Sequence, residues 1–134
     1  MNGTYRCANS GTVAGKPQKR TTSTFIVRRN GSWYDLTDPK DKVGLTRITY
    51  SKVNGKYVYV STNSDASYNV GYLNITPSGF SIVYPSVLAV PADDRNASAT
   101  LTKMANGYTF VSSGTSMSGK DKGKPYVYKS VCTK

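Results

Sequence analysis

A chain of 134 residues, 37% of them hydrophobic and spread over short β-branched and aromatic runs, fits one domain spanning residues 1–134 and contains no apolar stretch long enough for a transmembrane helix. Eighteen Lys and Arg stand against seven Asp, with no Glu and no His, for a net charge of +11. The absence of His and Glu removes the commonest general base, the usual triad partner and most paired-carboxylate hydrolysis, while the positive field favours an acidic partner.

The chain opens on Met1-Asn2-Gly3-Thr4-Tyr5, which has neither the basic leader nor the apolar core of a signal peptide, so it reads as a mature chain. Thr4 to Val13 is the first predicted strand and carries Cys7. The other cysteine, Cys132, lies 125 positions on, in the last predicted strand, Pro125 to Cys132. With no Cys-x-x-Cys and no His there is no zinc pattern. The pair instead predicts a disulfide joining the first and last strands, and with it an oxidising compartment, periplasmic or extracellular. Two buried thiols in a reducing compartment are the alternative.

A basic connection, Gly15-Lys16-Pro17-Gln18-Lys19-Arg20, leads into four predicted hairpins. Phe25 to Arg28 and Ser32 to Leu36 flank Asn30-Gly31, and Thr46 to Val53 and Lys56 to Thr62 flank Asn54-Gly55. Gly71 to Ile75 and Gly79 to Tyr84 turn through Pro77-Ser78-Gly79, and Leu101 to Met104 and Tyr108 to Val111 flank Asn106-Gly107. Each Asn-Gly pair predicts a type I′ turn with positive φ at both residues. In the third hairpin Pro77 fixes φ and Gly79 is expected in the left-handed region. Pro85 to Asn96 forms a longer connection whose Val87-Leu88-Ala89-Val90 run suits a lid or plug across a barrel end, or a short buried link.

No segment has an apolar period of 3.6, so the expected fold is all-β: a meander of about eight to ten antiparallel strands. Pairing of the terminal strands through Cys7 and Cys132 closes it into a small barrel; a β-sandwich with adjacent termini is the alternative.

For chemistry, Asp38, Asp41, Asp65 and Asp121 sit in turn-like contexts, and the Asp93-Asp94 doublet would point to opposite faces of a strand. There is no nucleophile elbow, and Gly119-Lys120-Asp121-Lys122-Gly123-Lys124 lacks the Gly-Lys-Ser/Thr ending of a phosphate loop. No catalytic residue, metal or cofactor is assigned. Basic residues cluster at Lys16, Lys19 and Arg20, at Arg28 and Arg29, and at Lys120, Lys122 and Lys124. Eleven tyrosines include the alternating pairs Tyr57/Tyr59 and Tyr126/Tyr128, and Tyr68 with Tyr72. If Val58, Val60, Val127 and Val131 point inward, Tyr57, Tyr59, Tyr126 and Tyr128 form an outer recognition surface; the reverse orientation makes them the lining of a ligand cavity. Asn2, Asn30, Asn74 and Asn96 begin glycosylation sequons, relevant only to a eukaryotic secretory origin.

Gly3-Thr4-Tyr5 resembles the Gly-x-Trp opening of lipocalin-type barrels over three residues, with Tyr where that family has Trp. Tyr5-Arg6-Cys7 with a C-terminal Cys is similar to the framework of periplasmic C-type lysozyme inhibitors, without their central Ser-Gly and Tyr motif. Neither likeness assigns a family. The leading expectation is a non-enzymatic exported binding protein of inhibitor or immunity type that neutralises an acidic protein through the three basic clusters and the two tyrosine pairs. A lipid or small-ligand carrier using the barrel interior is the second reading. A binder of anionic glycan or nucleic acid is the third, with nucleic acid less favoured by export.

Overall fold

A computed structural model describes residues 2–41, 43–53, 55–62, 68–83, 94–116 and 119–134. Eleven strands follow in chain order: β1 (Gly3–Val13), β2 (Lys16–Pro17), β3 (Thr21–Asn30), β4 (Trp33–Thr37), β5 (Leu45–Ser51), β6 (Lys56–Thr62), β7 (Tyr68–Thr76), β8 (Gly79–Val83), β9 (Asp94–Met104), β10 (Gly107–Ser116) and β11 (Pro125–Thr133). A single 3-10 turn, Gly119–Asp121, is the one helical element among the described residues.

From β3 to β11 each strand pairs antiparallel with the next, β3 also pairs with β1, and β11 returns to β1, which closes a ten-strand antiparallel barrel. The β1–β11 register runs from Arg6 opposite Thr133 to Val13 opposite Tyr126 and sets Cys7 directly against Cys132. The predicted disulfide lies there, its Cα atoms 4.0 Å apart. Full closure removes the two edges that an open meander would expose. By spanning 125 residues the bond removes roughly 5 kcal/mol of chain entropy from the unfolded state on the loop-closure model.

Several turns differ from the Asn-Gly expectation. Asn30 is the last residue of β3, opposite Trp33, so the loop is Gly31-Ser32 with only Gly31 at positive φ (60°), the pattern of a type II′ turn. Gly107 lies in β10, opposite Met104, and leaves Ala105-Asn106 as the loop; a Cβ on Gly107 would collide with the Cys132 carbonyl oxygen. Gly79 likewise takes a strand position opposite Thr76, where a Cβ would strike the Leu101 carbonyl oxygen, and it is not left-handed. In both cases close strand approach, not turn geometry, selects glycine. The β5–β6 loop has four residues, from Lys52 to Gly55 (φ 62°); Asn54 lies outside the described residues.

A type I′ pattern occurs at a turn the sequence did not single out. Ala14 (φ 50°) and Gly15 (φ 75°) fold β2 back on β1, so the basic connection begins as a tight hairpin. β9 and β10 also exceed their predicted lengths, and Asp94, Arg95 and Asn96 belong to β9 rather than to the preceding connection. Ser98, Ala99, Ser112 and Ser113 have weak strand propensity; pairing of β9 with both β8 and β10 overrides it. Val87 to Val90 lies outside the described residues.

Alternation puts one face of each strand inside the barrel. Tyr5, Cys7, Val27 and Cys132 form one buried cluster, with Phe25, Tyr34 and Tyr108 against it; Ile48, Leu73, Ile82 and Ala99 form a second, with Tyr59, Phe80 and Phe110 against it. Leu36 packs on both. Each fully buried large apolar side chain contributes about 1.5–3 kcal/mol.

Candidate ligand cavity and basic surfaces

The two clusters do not meet across the whole interior. Between them lies a cavity of about 300 Å³, bordered by Tyr5, Phe25 and Val27 on one side and by Ile48, Ile82 and Phe110 on the other. Tyr59, Phe80 and Leu101 complete its apolar wall. Polar groups are few. Thr46 and Ser61, paired across β5 and β6 with Oγ1 and Oγ 3.1 Å apart, line it, and Asp38 and Asp41 stand at its rim in the β4–β5 connection. Both carboxylates accept backbone N–H groups: Asp38 Oδ1 from Lys40 at 2.8 Å, and Asp41 Oδ1 from Val43 and Gly44 at 3.0 and 2.8 Å. They therefore shape the connection that frames the rim.

Tyr5 and Tyr108 border the same cavity with rings 5.1 Å apart and hydroxyl oxygens 3.3 Å apart. Burial, then the hydrogen bond to Tyr5 and its charge, push the Tyr108 phenol well above the ordinary tyrosine range, so it stays protonated at any physiological pH. Beneath them the interior turns polar. Ser130 Oγ donates to Asn9 Oδ1 at 2.8 Å, and Asn9 Nδ2 donates to Ser23 Oγ at 3.0 Å and Thr21 Oγ1 at 3.4 Å. Asn9 and Ser130 are both buried, and this network satisfies them.

The tyrosine pairs take the second of the two orientations open from sequence. Tyr59 shares the inner face with buried Ser61, Tyr126 and Tyr128 share it with Ser130 and Cys132, and Val58, Val60, Val127 and Val131 alternate to the outside. Of Tyr57, Tyr59, Tyr126 and Tyr128, Tyr59 alone borders the cavity between the two clusters. Tyr57 reaches the rim at the opposite end, edge-on to Tyr50 at 5.0 Å. Tyr126 lies over Gly114, where a Cβ would stand 2.9 Å from its hydroxyl oxygen. Tyr68 and Tyr72 face outward, Tyr72 beneath the Lys56 ammonium at 4.9 Å.

Barrel closure brings two basic clusters together and leaves the third apart. The Ala14 N–H donates to the Pro125 carbonyl at 2.7 Å, extending the β1–β11 seam, so that Lys16, Lys19 and Arg20, across β1, share a barrel end with Lys120, Lys122 and Lys124 in the connection into β11. Lys124 pairs with Asp121 at 2.9 Å. A recess of about 230 Å³ there is lined by Lys19, Gln18, Asn9, Tyr126 and Tyr128. Arg28 and Arg29 lie at the other barrel end, beside the Gly31-Ser32 turn.

Tyr5, Phe25, Phe80, Phe110 and Asn9 are interior residues that the sequence reading left unassigned. Their signal was present as in-phase alternation: Tyr5, Cys7 and Asn9 share one face of β1, so a buried cysteine marks its neighbours. Among the described residues no three acidic or sulfur ligands gather into a metal-binding group. Compared with known proteins, the chain matches no family model, no curated sequence and no solved structure.

Proposed function

We propose that the protein is a non-enzymatic carrier that holds a small, mainly apolar ligand inside the barrel. The observation that carries this reading is the unfilled interior: a cavity of about 300 Å³ between two packed clusters, walled by aromatic and aliphatic side chains with a few hydroxyls. That volume is at the lower end of the usual range for small-molecule sites. Phe25, Phe80, Phe110 and Tyr59 suit a ring or short branched chain, and Thr46 and Ser61 supply a polar contact. The disulfide fits a protein that works in an oxidising compartment, outside the cytosol.

The test uses Leu101→Phe, which places extra atoms in the cavity between Phe80 and Phe110. Fluorescence titration with the neutral apolar probe N-phenylnaphthylamine should show saturable binding to the parent and at least about tenfold weaker binding to the variant, with the melting midpoint preserved. Equal probe binding by both proteins would sink the reading. So would a midpoint drop matching the ~1–3 kcal/mol cost of overfilling a packed core.

A second reading, recognition of an acidic protein, is favoured by one observation: closure puts six basic residues at one barrel end, around a recess lined by Lys19, Tyr126 and Tyr128. Such a surface steers an acidic partner and binds it in a salt-sensitive way. Lys19→Asp with Lys122→Asp should abolish capture of that partner and leave probe binding unchanged.

A further inference from the structure

The barrel ends differ in how their charges are opposed and in what they expose. At one end Asp38, Asp41 and Asp121 are interspersed with Lys16, Lys19, Arg20, Lys120, Lys122 and Lys124. The other end is built from the tips Gly31-Ser32, Lys52 to Gly55, Pro77-Ser78 and Ala105-Asn106, together with Gly3 and Lys134. Arg28, Arg29, Lys52, Lys56, Lys103 and Lys134 surround this tip end, and the one aspartate near them among the described residues, Asp35, lies opposite Arg28 and is held by Arg47 Nε at 3.0 Å and Asn30 Nδ2 at 3.0 Å.

Apolar groups are exposed on the same face. Val53, at the β5–β6 tip, is 94% exposed, and Ile75, beside the next tip, is 56% exposed. The Tyr50–Tyr57 pair lies just behind Val53. Between Lys103, Lys134 and the Tyr5–Tyr108 pair a recess of about 410 Å³ opens, so an anionic headgroup there would meet two ammonium groups.

We propose that the tip end docks on an anionic lipid bilayer. Val53 and Ile75 enter the acyl boundary, Tyr50 and Tyr57 occupy the headgroup layer, and the surrounding cations meet lipid phosphates. This combination of apolar tips, interfacial aromatics and an unopposed cationic ring is what a bilayer surface selects. An acidic protein would give an exposed, lysine-flanked Val53 no comparable reward. Docking in this way points the Asp38–Asp41 rim of the cavity towards solution. The inference is independent of whether the cavity is filled.

The experiment is co-sedimentation of the full chain with vesicles of phosphatidylcholine alone or mixed with phosphatidylglycerol. Binding is expected only to the anionic vesicles and should disappear in about 1 M salt, where the screening length falls to about 3 Å. Each lysine near the surface is worth about fivefold in affinity, so Lys52→Gln with Lys56→Gln should weaken binding roughly 25-fold. Val53→Asp should weaken it at least about tenfold, while Lys16→Gln with Lys19→Gln, at the far end, should leave more than half of it. All these sites are exposed, and unchanged melting midpoints confirm folding. Equal binding to both vesicle types, no binding to either, or equal losses for near and far lysine pairs would each overturn the proposal. Capture on polyglutamate that needs Lys52 and Lys56, without vesicle binding, would also overturn it and assign the face to an acidic protein.

Discussion

The two sides of the barrel interior obey the same alternation and reach different ends. Around the β1–β11 seam the inner face is fixed by directional bonds: a disulfide, a tyrosine hydroxyl pair and the Ser130–Asn9–Ser23 network. On the far wall, from β5 to β9, it is built mainly from Ile48, Leu73, Ile82 and Ala99 packed without direction, with the Thr46–Ser61 hydroxyl pair at its edge, and the space between the two sides stays open. Directional bonds allow few neighbouring arrangements and non-directional packing allows many. A barrel that keeps one side rigid can therefore leave the other adaptable around its cavity.

The sharpest break of that contrast is the covalent one. Replacing both cysteines, Cys7→Ser with Cys132→Ser, should cost about 3–5 kcal/mol, read as a lower urea midpoint. Because the bond lies on the strands that close the barrel, the variant should also release β1 and β11 first in hydrogen exchange. Uniform loss of protection around the barrel would show that the seam is no more directional than the far wall.

One step smaller is the buried amide. Asn9→Leu removes the partner of Ser130 and Ser23 and leaves hydroxyls unsatisfied inside the protein, at a cost of about 1–3 kcal/mol. Asn9→Leu with Ser130→Ala should recover part of that loss, since both ends of the strongest bond are then apolar. The far wall offers the contrasting measurement, because Leu101→Phe should leave stability nearly unchanged. If Asn9→Leu proved equally silent, the network would be incidental to the seam.

Tyr108 gives the comparison a pH axis. Its folded-state pKa is raised by burial and by Tyr5, so above the ordinary tyrosine value of about 10 the folded chain holds a proton the unfolded chain has lost. The sign follows: stability is fully present below about pH 10 and declines as pH rises beyond it. Tyr108→Phe should flatten that decline, as measured by urea midpoints at about pH 9 and pH 11.

Much of the scaffold was legible because strand alternation and hairpin composition are local signals. Cys7 and Cys132 then supplied the one long-range restraint that names the neighbours of the terminal strands. What escaped depended on contacts distant in sequence. Nothing near Gly79 or Gly107 reveals that the Leu101 and Cys132 carbonyls press on them, so both glycines read as turn residues. The inward placement of Tyr59, Tyr126 and Tyr128 was one of two equal choices, since Tyr and Val fit either face of a half-buried strand. The cavity was least legible, because an unfilled volume is a property of all the facing strands together.

The smallest prediction concerns a residue the seam holds in an unfavourable conformation. Ala14 has φ of 50°, a region that costs a residue with a Cβ roughly 1–2 kcal/mol, and it is held there by its turn with Gly15 and by its N–H bond to the Pro125 carbonyl. Its side chain is exposed, so substitution disturbs no packing. Asn tolerates left-handed φ far better than Ala, and Ala14→Asn should raise stability by about 0.5–1 kcal/mol. Ala14→Gly should gain less, because it also enlarges the entropy of the unfolded chain. The order Asn above Gly above Ala in urea midpoints would locate the strain in the backbone of the seam, whereas equal midpoints would mean that the β1–β2 hairpin relaxes freely and that directional rigidity ends at Val13.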